Sequence, residues 1–314
     1  FCFYFCMQIM LKTDMENKKS LVGAWVEAAR PRTLPASVSP VLLGCALAYY
    51  DGAFDVVPAV LCLLVALFAQ IASNFANDYF DFKKGADRED RLGPERAVAE
   101  GWITPKAMLT GTFVTLGLAC AAGLLLVCFA DWRLIGVGIA IAICVLAYSA
   151  GPFPLAYNGL GDVCVLLFYG IIPVCFTYYI QTLNFSLLSF LLSVALGLLS
   201  VNILIVNNYR DYEQDKAARK RTTIVLFGRR AGRVFYVLNE CMAFLLVLPL
   251  ILDAPWWILF LFGILFALCF YTTRELFTLE GRALNRTLGH TARNVFLFAS
   301  VLSLLFLYIG GVSN

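Results

Sequence analysis

Asn77, Asp78 and Asp81 close one long apolar stretch of this chain, and Asn207, Asp211 and Asp215 close another. Spacings of three and four residues put Asp78 with Asp81, and Asn77 with Asp81, on one helical face. Asp87 follows Gly85, a residue that predicts a helix end and a turn bringing Asp87 back towards the others. In the second group the i, i+4, i+8 spacing makes one stripe of oxygen-bearing side chains. Carboxylates at the edge of hydrocarbon are expensive and need a reason. Two stripes of hard oxygen ligands facing one cavity suit Mg²⁺, which prefers carboxylates, keeps some waters and bridges to substrate phosphates. The expected metal set is therefore Asn77, Asp78, Asp81, Asp87, Asn207, Asp211 and Asp215, with Asp78, Asp81, Asp211 and Asp215 as the catalytic carboxylates.

Basic residues surround both groups: Lys83, Lys84, Arg88, Arg91 and Arg96 beside the first, and Arg210, Lys216, Lys220 and Arg221 beside the second. Lys83, Lys84, Arg91, Arg96, Arg210, Lys220 and Arg221 are placed to meet diphosphate oxygens that a metal leaves free. One charged run after a helix is an ordinary solvated loop. Two at matching places, each led by asparagine, point to a shared site. A diphosphate carried on an apolar tail is the ligand this combination fits.

The elements that must hold these groups are membrane helices. Of 314 residues, 61% are hydrophobic and only 14% charged, with a mean hydropathy of +0.80. Soluble domains carry about 25% charged residues, so a soluble fold and a secreted disulfide scaffold are excluded, and a net charge of +3 argues against a nucleic-acid partner. The apolar pattern predicts an all-α membrane protein, a bundle of about nine transmembrane helices: Leu34–Tyr50, Val56–Phe80, Met108–Ala130, Leu134–Ala150, Asp162–Ile180, Leu187–Asn207, Val234–Leu252, Pro255–Thr273 and Arg293–Ile309. All basic residues except Arg133 fall in the N-terminal segment or in the loops after helices 2, 6 and 8. Because Lys and Arg stay cytoplasmic, this alternation predicts a multi-pass protein of the inner membrane, with the N-terminus and the site's mouth cytoplasmic and the C-terminus outside. The two acidic motifs lie four spans apart, as in a parallel repeat.

Residues 1–20 are set apart as a disordered or read-through segment, with Met7, Met10 and Met15 as candidate starts, and 21–314 is read as a single domain. Phe1–Met10 lacks the basic leader and cleavage site of a signal peptide. Eleven cysteines without a CxxC pair behave as small hydrophobes, and one histidine, His290, does not make a His-ligated metal centre. Asp162, after Gly159-Leu160-Gly161, reads either as a helix N-cap or as part of an acceptor site. Glu240 reads either as facing the cavity or as pairing with an Arg near the membrane edge. A transporter is the rival class, but transporters place ionisable groups near the midplane in broken helices.

Asn77-Asp78-x-x-Asp81-x5-Asp87 and Asn207-Asn208-x-Arg210-Asp211-x3-Asp215 resemble the two aspartate-rich motifs of the UbiA-type intramembrane prenyltransferases, and the resemblance covers nearly the whole chain from about Trp25. Within that superfamily the sequence is most similar to the 1,4-dihydroxy-2-naphthoate branch. That finer likeness rests on Ala29-Arg30-Pro31-Arg32-Thr33-Leu34-Pro35, Arg91-x-Gly93-Pro94-x-Arg96-Ala97-Val98, Gly151 to Asp162 and Lys220-Arg221-Thr222. Arg219 stands where a glycine is usual. The resemblance implies Mg²⁺-dependent transfer of a polyprenyl group from its diphosphate to the ring of 1,4-dihydroxy-2-naphthoate, with loss of CO₂, giving demethylmenaquinol. Another acceptor, 4-hydroxybenzoate or a chlorin, is the alternative. It also implies that Tyr79, Tyr148 and Tyr209 shield an allylic cation through their π faces, and that Arg30 or Arg32 orients the acceptor carboxylate.

Overall fold

The computed structural model describes residues 20–85 and 91–313. The segment 1–19, Asp87 and Arg88 lie outside the described residues, so the expectations placed on them have no structural counterpart here. Helices are the only regular element among the described residues. A short α1 (Leu21–Ala29) precedes α2 (Leu34–Tyr50), α3 (Val56–Lys83), α4 (Pro105–Leu126) and α5 (Leu134–Ala147). Next comes a span made of α6 (Gly161–Leu166), a π turn (Leu167–Ile171) and α7 (Ile172–Thr182). The chain continues through α8 (Leu187–Arg210), a short α9 (Tyr212–Ala217), α10 (Thr223–Leu252), α11 (Trp256–Thr278) and α12 (Leu284–Ser313). Among the described residues, eight helical stretches are long and apolar enough to cross a membrane, and α5 is a ninth, shorter one. The chain is a multi-pass membrane protein.

Sequence chemistry sets where several of these helices begin. Asp55, Thr104, Ser186 and Thr222 each accept a hydrogen bond from a backbone N–H two or three residues ahead, at 2.9, 3.3, 3.0 and 3.3 Å, satisfying a donor that the helix leaves orphaned. Two spans start earlier than hydropathy predicts. The seventh begins at Thr223 rather than Val234, and the ninth at Leu284 rather than Arg293. Both extensions are basic, so a hydropathy reading assigns them to loops, although a capping Thr222 starts the first of them.

Helix α8 is the most enclosed span. It packs on α10 and α12 and on the π turn, while α12 lies along α2 and closes the ring of helices. The π turn and α8 meet at Gly170 and Gly197, where a Cβ on Gly170 would sit 2.5 Å from the Gly197 Cα. The main core gathers Leu43, Leu47, Leu192, Leu196, Phe298 and Leu302, and large apolar side chains such as Phe260, Phe266 and Phe270 face outwards, as expected where the solvent is lipid. Away from this core, α3 and α8 end on the same side of the bundle. Between them opens a cavity of about 1,030 Å³.

Candidate active site

Both motifs reach one cavity. Asn77 and Asp81 from α3 line its mouth, together with Asn207 at the end of α8, Asp211 and Asp215. Deeper, the wall is apolar, with Leu116 and Ala119 from α4, Val137 and Ile141 from α5, and Phe176 and Ile180 from α7. A polar, charged rim above a dry pocket is the shape that an amphipathic diphosphate ester requires.

Asp81 is buried at the rim. Its Oδ1 accepts from the Tyr157 hydroxyl at 2.9 Å, and its Oδ2 pairs with Arg96 at 3.3 Å. On the opposite row, Arg210 is 2% exposed and holds Asp211 in a two-pronged fork, with Nε on Oδ1 at 2.7 Å and Nη2 on Oδ2 at 2.6 Å. The same guanidinium donates to Asn207 at 2.9 Å and to Asn285 at 2.6 Å. Arg210, expected to bind diphosphate, is therefore consumed by its neighbours and acts as the brace of the second row. Gly93 lies against it, where a Cβ would stand 2.8 Å from Arg210 Nη2, so the loop can rest there only without a side chain.

Tyr157 joins the two rows. Lys84 Nζ lies 4.4 Å and Lys220 Nζ 5.4 Å from its ring centroid. Lys220 also pairs with Asp215 at 3.5 Å, and Lys84 donates to the Ser149 carbonyl at 2.6 Å. Ser149 in turn donates its hydroxyl proton to Asn77. Arg221 contributes through its backbone, its N–H donating to the Tyr157 carbonyl at 2.9 Å, while its side chain is exposed and off the cavity wall. Tyr157 falls within the Gly151 to Asp162 stretch, whose resemblance assigns it no role. Nothing in its local spacing announces a contact with Asp81, 76 residues away.

Burial pushes the Asp215 carboxyl up to about 6. Lys220 opposes that shift, and the Asp211 and Asp81 carboxylates reinforce it. The Lys84 ammonium is lowered by burial and by Lys220 against the pull of Asp81. Tyr148, on the wall, is held protonated by burial.

Other expected site residues fall in different places. Arg30, Arg32, Arg91, Arg96, Lys220 and Asp162 line the cavity. Asp162 lies in the first turn of α6, not at its N-cap, which is Leu160. Asp78 is buried behind the rim, where its Oδ2 accepts from the Ala97 N–H at 3.1 Å and ties down the loop that carries Arg96. Lys83 is exposed and off the wall. Tyr79 packs edge-on against Phe80 at 4.9 Å, and Tyr209 is buried in an apolar cluster with Val201, Ile205 and Tyr236. Neither ring reaches the cavity. Glu240 accepts from Thr273 at 2.6 Å and is likewise absent from the wall. His290 pairs with Glu275 at 2.8 Å.

The donor set fits Mg²⁺. Among the described residues, no three acidic, His or Cys side chains close around one point, so a caged, all-protein site is absent from them. Mg²⁺ does not need one, because it is typically held by one or two carboxylates with water and phosphate completing the shell. Asp215 Oδ2 is buried without a hydrogen-bond partner, a cost a cation would relieve. Asn77 and Asp81 on one side, and Asn207, Asp211 and Asp215 on the other, are the cavity-lining side chains that could hold metal.

The fold and site together define an intramembrane transferase bundle, polar at one end and greasy within. A profile of the UbiA prenyltransferase family matches residues 37–298, and the chain belongs to that family. It is 37% identical over 235 residues to a 1,4-dihydroxy-2-naphthoate octaprenyltransferase of Haemophilus influenzae, covering 72% of this chain and 76% of that one. A protein of the same name from Mycobacterium tuberculosis is 38% identical over 235 residues, 74% of this chain and 79% of the other. In fold it is similar to the apo UbiA homolog of Aeropyrum pernix K1, with a TM-score of 0.66, 15% identity and coverage of 86% and 97%. It is also similar to an Archaeoglobus fulgidus UbiA homolog bound to GPP and Mg²⁺, with a TM-score of 0.62, 20% identity and coverage of 90% and 97%.

Proposed function

We propose that this chain transfers a polyprenyl group from polyprenyl diphosphate to the ring of 1,4-dihydroxy-2-naphthoate, releasing diphosphate and CO₂ and forming demethylmenaquinol. The observation that carries this reading is the meeting of two amide-carboxylate rows at the mouth of one apolar cavity. The names of the 37–38% identical relatives support the acceptor. Mg²⁺ bound between the rows would neutralise the diphosphate and stabilise it as it leaves.

The chain's own residues do the rest. Arg91, Arg96 and Lys220 meet the remaining diphosphate oxygens, and the braced Asp211 keeps its row fixed during the charge change. Leu116, Val137, Ile141 and Phe176 exclude water while the carbon–oxygen bond breaks with its electron pair going to diphosphate. The Tyr148 ring faces the allylic cation that results. Arg30 or Arg32 orients the acceptor carboxylate, and Asp162 lines the acceptor side. The ring carbon that bears the carboxylate then gives its electron pair to the prenyl cation, and the bond pair between that carbon and the carboxylate restores aromaticity as CO₂ departs. The placement of Lys and Arg supports a cytoplasmic site mouth and N-terminus, with the C-terminus outside.

Product mass spectrometry on purified protein tests this, with prenyl diphosphates of several lengths and with naphthoate and 4-hydroxybenzoate as competing acceptors. Prenylated naphthoquinol lighter by CO₂ is expected, stopped by EDTA and restored by Mg²⁺. Exclusive prenylation of 4-hydroxybenzoate, or turnover that survives thorough chelation, overturns the reading.

A further inference from the structure

Arg229, Arg230 and Arg233 crowd the start of α10 and take no part in the cavity. Arg229 lies 5.6 Å from the Tyr209 ring centroid and 5.1 Å from that of Tyr212. Arg233 lies 5.4 Å from the Tyr209 ring and 5.1 Å from that of Phe277. Tyr209 is thus contacted by two guanidinium planes, and Arg233 is anchored further by a hydrogen bond to the Phe277 carbonyl at 3.4 Å. Arg230, next to Arg229, is exposed. None of the three is ion-paired to a carboxylate among the described residues.

Depth and surroundings say what covers this cluster. Helix α10 breaks at Gly228, whose φ is 85° and ψ 162°. Beyond the break its continuous part, 229–252, is about 36 Å long, a little longer than the ~30 Å hydrocarbon core, and the arginines lie in its first turns, at the headgroup layer. Leu226 and Phe227 just before the break, and Val234 and Leu238 beyond it, are exposed apolar side chains flanking the arginines. Phe277 of α11 is exposed alongside and lies against Arg233, so the cluster sits where α10 meets α11. Cytoplasmic placement alone would leave basic chains extended into water. Here two of the three guanidinium groups are held 5.1–5.6 Å from aromatic rings, with no carboxylate partner among the described residues, beside an apolar surface. Guanidinium forks of this kind match phosphate oxygens, and basic pockets between helices at this depth suit anionic lipid.

We propose that Arg229, Arg230 and Arg233 form a headgroup site for an anionic glycerophospholipid, whose acyl chains lie along Val234, Leu238 and Phe277. The site backs onto Tyr209, the residue preceding Arg210, and so touches the frame of the second acidic row without entering the cavity.

Native mass spectrometry of the full chain in neutral detergent, titrated with phosphatidylglycerol or phosphatidylcholine, tests the proposal without calling on prenyl transfer. A phosphatidylglycerol adduct well in excess of the phosphatidylcholine one is expected. Loss of one surface-layer arginine charge is worth about fivefold in lipid affinity, so Arg230→Gln should weaken the adduct about fivefold and Arg229→Gln with Arg233→Gln together about 25-fold. Arg133→Gln, at the other end of the bundle, should leave it unchanged. Equal binding of the two lipids, an undiminished adduct in the double variant, or an equal loss in Arg133→Gln overturns the site. If the double variant does not fold, Arg230→Gln decides alone, since its side chain is exposed, and unchanged binding there overturns the proposal. Displacement of the adduct by an equal concentration of inorganic phosphate overturns the lipid assignment in favour of a free-anion site.

Discussion

The Arg210 guanidinium donates to Asn285 Oδ1 at 2.6 Å, while the Asn285 amide donates to the Leu92 carbonyl at 2.9 Å. One amide thereby connects the brace of the second acidic row to the loop that carries Arg96, the partner of Asp81 in the first. Losing such a charge-assisted bond costs about 1.5–3 kcal/mol. Asn285→Ala is expected to lower kcat/KM for the prenyl diphosphate at least about tenfold, with the protein still inserted and folded by circular dichroism. Wild-type kinetics would mean that the loop needs no such tie.

Asp81 and Asp78 offer a contrast between a rim carboxylate and one that anchors a loop. In Asp81→Asn the shape survives and the charge does not, so turnover should fall at least about 100-fold, on the scale of a lost electrostatic contact to the leaving group. In Asp78→Asn an amide oxygen can still accept from the Ala97 N–H, and a loss of about tenfold or less is expected. Steady-state assays of both variants in liposomes decide it, and equal inactivation would put Asp78 on the metal.

Tyr157 couples Asp81 to Lys84 and Lys220 through two different parts of one side chain. Phenylalanine keeps the ring under both ammonium groups and removes only the hydroxyl. Tyr157→Phe should therefore cost about fivefold to tenfold in kcat, and Tyr157→Ala considerably more, because both lysines lose their platform. If the two variants matched, the ring would have no part in holding the lysines.

Arg219 has φ 56°, in the left-handed region, at the position where a glycine is usual in the family. A side chain there costs roughly 1–2 kcal/mol. Arg219→Gly should raise the thermal unfolding midpoint in detergent and leave kcat unchanged; a lowered midpoint would show that the arginine side chain contributes more than its backbone strain removes.

Much of the bundle is legible because a membrane span is a property of composition: the first predicted span runs from Leu34 to Tyr50, and α2 occupies those residues. The i, i+4 logic likewise carried Asn77 with Asp81 and Asn207 with Asp211 to one cavity. The arginines at positions 229, 230 and 233 hid a helix, since charge looks like a loop until contact with Tyr209, Tyr212 and Phe277 is seen. Tyr79 and Tyr209 were misjudged for a related reason. They lie one or two positions from cavity-lining residues, and each residue along a helix is a turn of about 100°, enough to point a ring away from the cavity. Arg210 shows a further limit, because a basic residue beside a carboxylate can face a ligand or grip its neighbour, and spacing does not separate the two.

Helix α5 has 14 residues, about 21 Å, and turns Ile143 outwards while Ile135, Val137, Ile139 and Ile141 line the cavity. A wall shorter than a ~30 Å hydrocarbon slab is accommodated by local thinning of the bilayer, snorkelling of flanking side chains or association, each at a cost of a fraction of a kcal/mol per ångström of mismatch. Bilayer thickness thus becomes a mechanical input to this protein, felt first by the thinnest side of its reaction chamber.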